Sequence, residues 1–307
     1  MKTALLFPGQ GSQRVGMGRE LAAAHAVARH TFEEADAVLG FALSRLCFEG
    51  PEDELTLTKF TQPAILTHSI AVLRTLAERG LAFDVVAGHS LGEWSALVAA
   101  GALAFADAVR LTHLRGTYMQ EAVPAGVGAM AAVMGLEGAA LAEACAAASA
   151  PGEAVAPANF NGAGQIVLSG HAAAVERALG EAKARGAKRA VKLAVSAPFH
   201  CALMQPAADR LAEALAGVAI AAPRVPVVAN VTAAPTREPD ELRRLLVEQV
   251  TAPVRWEECV QTIARLEVTR ALELGAGSVL RGLVKRIAPA LETTSIGEPP
   301  EVAAFAG

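Results

Sequence analysis

Read for its apolar and polar positions, the chain alternates short buried runs with longer amphipathic stretches. Thr3–Phe7 is an unbroken apolar run halted at once by Pro8-Gly9-Gln10-Gly11-Ser12-Gln13. An apolar run of that length closed by turn residues predicts a buried strand and a tight loop. Residues 18–39 carry a helical repeat that stops at Gly40, and Gln62–Glu78 carries another that stops at Gly80. Val85–Gly88 predicts a second buried strand, followed by helices over Leu91–Ala100 and Ala106–Val123. From Gly128 the spacing changes. It predicts a strand at Gly128–Gly135, a helix at Ala139–Ala150, strands at Val155–Phe160 and Gln165–Ser169, a helix at Ala172–Arg185 and a strand at Lys188–Val195. That order, β-α-β-β-α-β, is the ferredoxin-like signature. Residues 126–197 are therefore expected to form a small inserted domain, with 1–125 and 198–307 forming the large one. Beyond it the pattern predicts a helix at Leu203–Leu215, a strand at Val225–Asn230, helices at Asp240–Val250 and Val254–Ala264, a strand at Arg270–Leu274 and one last helix. Strands alternating with helices argue for an α/β fold whose sheet is mostly parallel and covered on both faces.

Composition narrows the class. Of 307 residues, 53% are hydrophobic and 19% charged, enough for a large core without disulfide or metal staples. Mean hydropathy is +0.36. Yet the longest apolar stretches, Ala96–Ala106 and Gly126–Leu136, fall well short of the ~20 residues of a spanning helix, so no membrane role is expected. The net charge of −4, without a long basic run, argues against a nucleic-acid binder. Cys47, Cys145, Cys201 and Cys259 are scattered, with no paired spacing. This predicts neither a zinc site nor a disulfide framework and fits a reducing compartment, the cytoplasm. The first residues lack the features of a signal peptide.

Chemistry concentrates at Gly88-His89-Ser90-Leu91-Gly92, a G-x-S-x-G pattern between a short apolar strand and a helix, the context that a nucleophile elbow requires. Small residues at 88 and 92 let the chain turn sharply and lift the Ser90 hydroxyl above the sheet. The helix start then aims N–H groups at a developing anion. The hydroxyl needs a base. His25, His30, His68 and His113 lie in helical patterns and read as surface or packing residues, and His171 lies at a strand–helix turn. His89, next to the nucleophile, is expected to support rather than to take the proton. His200, on the loop Ser196–Phe199 leaving the small domain, can return to the elbow. The residues alone leave it level with an ordinary loop histidine. No acid is placed to orient an imidazole; Asp209 sits in a helix. A main-chain carbonyl would serve for an activated acyl donor, because a leaving thiol with a pKa near 8.5 needs little acid help.

These residues resemble a known family, the malonyl-CoA:acyl carrier protein transacylases. The likeness is carried by Phe7–Gln13, Gly88–Glu93, Thr61–Ala64, Arg115-Gly116, Met119-Gln120, Gly128–Ala132, Asn159–Asn161, Ser196–Met204, Gln249 and Pro253-Val254, in order over nearly the whole chain. It departs where Ala276 stands in place of the usual Pro. The resemblance implies an α/β-hydrolase-like large domain with a ferredoxin-like insert. It implies Ser90 as nucleophile and His200 as its base, an oxyanion hole from the N–H groups of Gln10 and Leu91, and Arg115 gripping the free carboxylate of a malonyl group. Gln249 would lie beside the histidine, with Asn159, Asn161 and Gln62 around the pocket and Phe199 bearing on acyl size. It further implies malonyl-CoA and an acyl carrier protein as partners, no metal and no bound cofactor, coenzyme A being substrate, and a monomer. Lys188, Arg189, Lys285 and Arg286 are candidates for the carrier's docking face. A serine thioesterase or esterase on a related fold is the competing enzyme, and a docking protein without activity the competing non-enzyme. Fatty-acid synthesis, a trans-acting polyketide pathway and a malonate decarboxylase subunit all remain open as the setting.

Overall fold

The computed structural model describes residues 2–193, 195 and 197–305. Among these, the strands are β1 (Lys2–Phe7), β2 (Val85–Gly88), β3 (Gly128–Met134), β4 (Val155–Gly162), β5 (Gln165–His171), β6 (Arg189–Lys192), β7 (Val227–Val228), β8 (Pro235–Thr236), β9 (Val268–Leu274) and β10 (Glu292–Ile296). One sheet runs β10-β9-β1-β2-β7-β8 and the other β4-β5-β3-β6. The first is parallel except for β8, so the chain is a mixed α/β protein with a mostly parallel main sheet.

Both faces of the main sheet are buried. Leu5, Phe7, Val86 and Leu272 point into one core, with the helices Thr58–Ala77 and Gly92–Ala99. Their alternates Ala4, Leu6, Val85, Ala87 and Ala271 point into another, with the helices Trp256–Arg265 and Val279–Ile287. This is why β1 and β2 read as continuous apolar runs rather than alternating ones. The second sheet is sided differently. Ala129, Ala131, Val133, Ile166 and Leu168 pack under the helices Gly138–Ala148 and Ala172–Ala184. The alternate residues Met130, Ala132 and Val167 face a cavity of about 280 Å³. β4 of the second sheet is tied to the segment ahead of the helix Trp256–Arg265, where Phe160 N–H donates to Val254 O (2.9 Å) and Val254 N–H donates to Ala158 O (2.8 Å).

Several boundaries differ from the sequence expectation. The pattern over 18–39 is two helices, Arg19–Ala24 and Ala26–Leu39, because His25 takes an extended conformation with no Pro or Gly to signal it. The strand expected at Val225–Asn230 pairs only at Val227 and Val228. Asn230 is withdrawn from the ladder because its groups bond the elbow, as described below. The strand expected at Lys188–Val195 is shorter, and positions 194 and 196, in that strand and the loop after it, lie outside the described residues. The helices Leu43–Glu49 and Glu52–Leu55, strand β10 and the helix Pro299–Ala304 were not foreseen. The last is opened by a capping box from Glu298 and Glu301, an acidic version of the usual Ser/Thr pattern.

Candidate active site

The strand β2 ends in a turn that only glycine permits. A Cβ on Gly88 would lie 1.9 Å from the Gly92 carbonyl carbon, and one on Gly92 would lie 2.0 Å from Phe7 O. The turn between them holds Ser90 at φ 52°, a left-handed conformation uncommon for a residue with a side chain. Gly88→Ala is expected to cost about 3 kcal/mol or more, since backbone rather than a yielding side chain blocks the methyl group. A chemical denaturation midpoint unchanged from that of the parent chain would refute this.

Ser90 Oγ lies 2.8 Å from His200 Nε2, and His200 Nδ1 lies 2.7 Å from Gln249 O. A carbonyl oxygen only accepts, so Nδ1 carries the proton and Nε2 presents a lone pair to the serine hydroxyl. Burial, and then the nearby Arg115 charge, lower the His200 pKa to about 3. The imidazole is thus neutral and able to accept a proton at any ordinary pH. His200 is itself at φ 59°.

Arg115, on the helix Phe105–Glu121, is 1% exposed. Its guanidinium donates to Gln62 Oε1 (2.7 Å), Gln249 Oε1 (2.9 Å) and Ser90 Oγ (3.2 Å). All three acceptors are neutral oxygens, and its Nε has no partner. A buried cation held only by neutral groups at a cavity edge is poised for an anion. Gln10, Gln62, Ser90, Leu91, Arg115, Asn159, Asn161, Phe199 and His200 all line the cavity. Gln249 stands behind it, fully buried. Ser90 N–H is unavailable to an oxyanion, because it donates to Asn230 Oδ1 (2.7 Å). His89 turns away from Oγ; its Nε2–H donates to Asn161 Oδ1 (2.8 Å), tying the elbow to β4. His68 and His113 bond the main-chain oxygens of Gly297 and Lys59, so both serve packing.

Sequence reasoning missed part of the site. Gln165, Met130, Ala132, Val167, Leu193 and Val195 also line the cavity. The signal for the first four was the second, alternate face of β3 and β5; Leu193 and Val195 follow β6. Asn230 and Glu93 were missed as well. Glu93 Oε2 accepts from Asn230 N–H (2.7 Å) and Gln249 Nε2 (3.1 Å), and Asn230 Nδ2 donates to Gly88 O (2.7 Å). No sequence spacing links 93, 230 and 249. Among the described residues no group of acidic, histidine or cysteine side chains could hold a metal ion, and no helix is long and apolar enough to cross a membrane.

Comparison with known proteins agrees with this geometry. Residues 4–295 match the model of the acyl transferase domain family. The chain is 51% identical to the malonyl CoA-acyl carrier protein transacylase of Escherichia coli K12, over 98% of this chain and 97% of that protein. It is 49% identical to the enzyme of that name from Bacillus subtilis, over 98% and 95%. A crystal structure of an acyl carrier protein S-malonyltransferase from Vibrio cholerae superposes with a TM-score of 0.96 at 49% identity, covering 99% of both chains. So does a malonyl-transacylase solved in complex with a type II polyketide acyl-carrier protein, with a TM-score of 0.96 at 48% identity, covering 99% of this chain and 98% of that one. A serine elbow, a neutral histidine and a buried arginine on one cavity, together with likeness along the whole chain, make this protein a member of the acyl transferase family of the malonyl CoA-acyl carrier protein transacylases.

Proposed function

We propose that the chain transfers a malonyl group from malonyl-CoA, through an ester on Ser90, to the phosphopantetheine thiol of an acyl carrier protein. The observation that carries this reading is the buried Arg115 guanidinium 3.2 Å from the nucleophile, with neutral acceptors alone on its donors. A malonyl carboxylate completes that arrangement; an acetyl group has nothing to offer it.

Ser90 Oγ attacks the thioester carbonyl as His200 Nε2 takes its proton. The tetrahedral oxyanion sits toward the main-chain N–H groups of Gln10 and Leu91, where one such donor contributes about 3 kcal/mol. The C–S bond breaks, the coenzyme A sulfur takes the proton from His200, and a malonyl-serine ester remains. The carrier thiol then gives its proton to His200 and attacks the ester; the Ser90 oxygen leaves and recovers that proton. Gln249 O supports the imidazolium formed in each half, in place of an acid. Incubation with malonyl-CoA is expected to add one malonyl mass at Ser90, discharged on addition of the loaded-ready carrier protein. An adduct lost to water as fast as it forms would favour a thioesterase instead.

Residues 126–197 are read as a ferredoxin-like insert in an α/β-hydrolase-like domain; the order β4-β5-β3-β6 with two helices on one face supports it. Arg286 borders a second cavity that shares Gln10, His89, Asn161 and Gln165 with the first. The last turn of its helix, with Lys285, therefore suits an acidic carrier. Phe199 borders the acyl cavity and is 8% exposed. Phe199→Ser is expected to admit methylmalonyl-CoA, measured as the ratio of malonyl to methylmalonyl transfer in competition. An unchanged ratio would remove Phe199 from specificity.

A further inference from the structure

Beneath the elbow lies a carboxylate that the mechanism above does not use. Glu93 is fully buried in the second position of the helix Gly92–Ala99. Its Oε2 is bonded, as described, by Asn230 N–H and Gln249 Nε2, while its Oε1 has no partner. Gln249 is a hub. Its Nε2 donates to Glu93, its Oε1 accepts from Arg115, and its main-chain oxygen holds His200. One amide side chain thus separates a buried anion from a buried cation.

We propose that Glu93 is the resting counter-ion of Arg115, relayed through Gln249, and that it takes up a proton when a substrate carboxylate docks on the guanidinium. This rests on the malonyl reading of the site. The empty site holds one guanidinium and one carboxylate, close to neutral in sum. A malonyl carboxylate on Arg115 adds a second anion beside these two buried charges. Two carboxylates sharing one cation cannot both stay ionised cheaply, and the one with a buried oxygen left unpaired protonates. The orphan Oε1 marks Glu93 as that one.

The surroundings agree. Burial raises the Glu93 pKa to about 7, against the opposing hydrogen bonds of Asn230 and Gln249 and the Arg115 charge. Arg115 is the charged side chain that acts on it among the described residues packed around its helix. Cys259, from the helix Trp256–Arg265, feels the Glu93 charge but stays a thiol because burial holds its pKa high. His200, at about 3, does not titrate in the same range. Glu93 is therefore a positioning residue: ionised, it holds Arg115 and Gln249 ready; protonated, it yields the guanidinium to the substrate.

The test is calorimetric titration of the Ser90→Ala protein at about pH 8, where the resting Glu93 is mostly ionised, in buffers of different ionisation enthalpy. Malonyl-CoA is expected to bind with uptake of most of one proton, and acetyl-CoA with none. On the same background Glu93→Gln keeps an acceptor oxygen for Asn230 and Gln249, and is expected to bind malonyl-CoA with no uptake. Malonyl-CoA binding without uptake, or equal uptake in Glu93→Gln, overturns the proposal; failure of malonyl-CoA to bind or to acylate Ser90 overturns the functional reading instead. A second measurement needs no variant at residue 93. The ratio of kcat/KM for malonyl-CoA to that for acetyl-CoA should fall by up to about tenfold per pH unit above neutrality. A ratio independent of pH overturns the proposal.

Discussion

Ser90→Ala loses malonyl transfer by a factor on the order of 10^5 to 10^6, the scale seen when the nucleophile of a serine enzyme is removed, and forms no covalent adduct. The expectation follows from geometry rather than from the motif alone. Oγ is the one atom that meets both the His200 lone pair at 2.8 Å and the Arg115 donor at 3.2 Å. Among the described residues no other hydroxyl lines the cavity to replace it. The fold should be untouched, because the left-handed turn is set by Gly88 and Gly92 and alanine tolerates it no worse than serine. His200→Ala should cost nearly as much without additivity in the double variant, since serine and histidine act as one unit. The wild-type acid limb tests the same pair. With the His200 pKa near 3 in the folded protein, the base stays deprotonated from neutrality down to strongly acid pH. Loss of acylation with an apparent pKa near the ordinary 6.5 of histidine would show that the resting imidazole is not the buried, neutral group described here. Intact mass after brief exposure to malonyl-CoA reads both variants; adduct on Ser90→Ala would overturn the assignment.

Much of this was legible along the chain, and what was not has a physical reason. β1 and β2 announced themselves as apolar runs because both sheet faces are covered. The elbow was legible because Gly88 answers a steric demand made within five residues, by the Gly92 backbone, whereas the demand on Gly92 comes from the distant Phe7. His200 was visible only as a histidine on a suitably long loop; its contact with Gln249 O spans 49 positions and involves a main-chain atom, which no side-chain pattern encodes. Arg115 looked like any helical arginine, and the family likeness rather than its spacing singled it out. Glu93 stood inside the motif, yet its meaning lies in Asn230 and Gln249, at 137 and 156 positions' remove. The short pairing of β7 is the same effect seen from the other side. A residue that periodicity assigns to a strand, Asn230, spends its backbone and side chain on Glu93, Gly88 and Ser90 instead.

Arg115→Ala should separate binding of the acyl carboxylate from the chemistry itself. Malonyl transfer is expected to fall by about 10^2- to 10^4-fold, the cost of leaving a buried carboxylate without its charged partner. Acetyl transfer should persist or rise, because acetyl never used the guanidinium and the space it leaves is open to a small acyl group. The alternative, that Arg115 matters mainly by donating to Ser90 Oγ at 3.2 Å, predicts equal losses for both acyl donors. The two outcomes are therefore distinct in one assay. Removal of the side chain also strips partners from Gln62 Oε1 and Gln249 Oε1, so some loss of stability is expected, and acetyl activity in the same preparation certifies that the site still forms. Arg115→Lys refines the reading. A lysine keeps the charge but not the planar fork, which at present reaches three oxygens at once. It should recover only part of the malonyl activity, and full recovery would mean that charge alone, without the fork's geometry, selects the substrate.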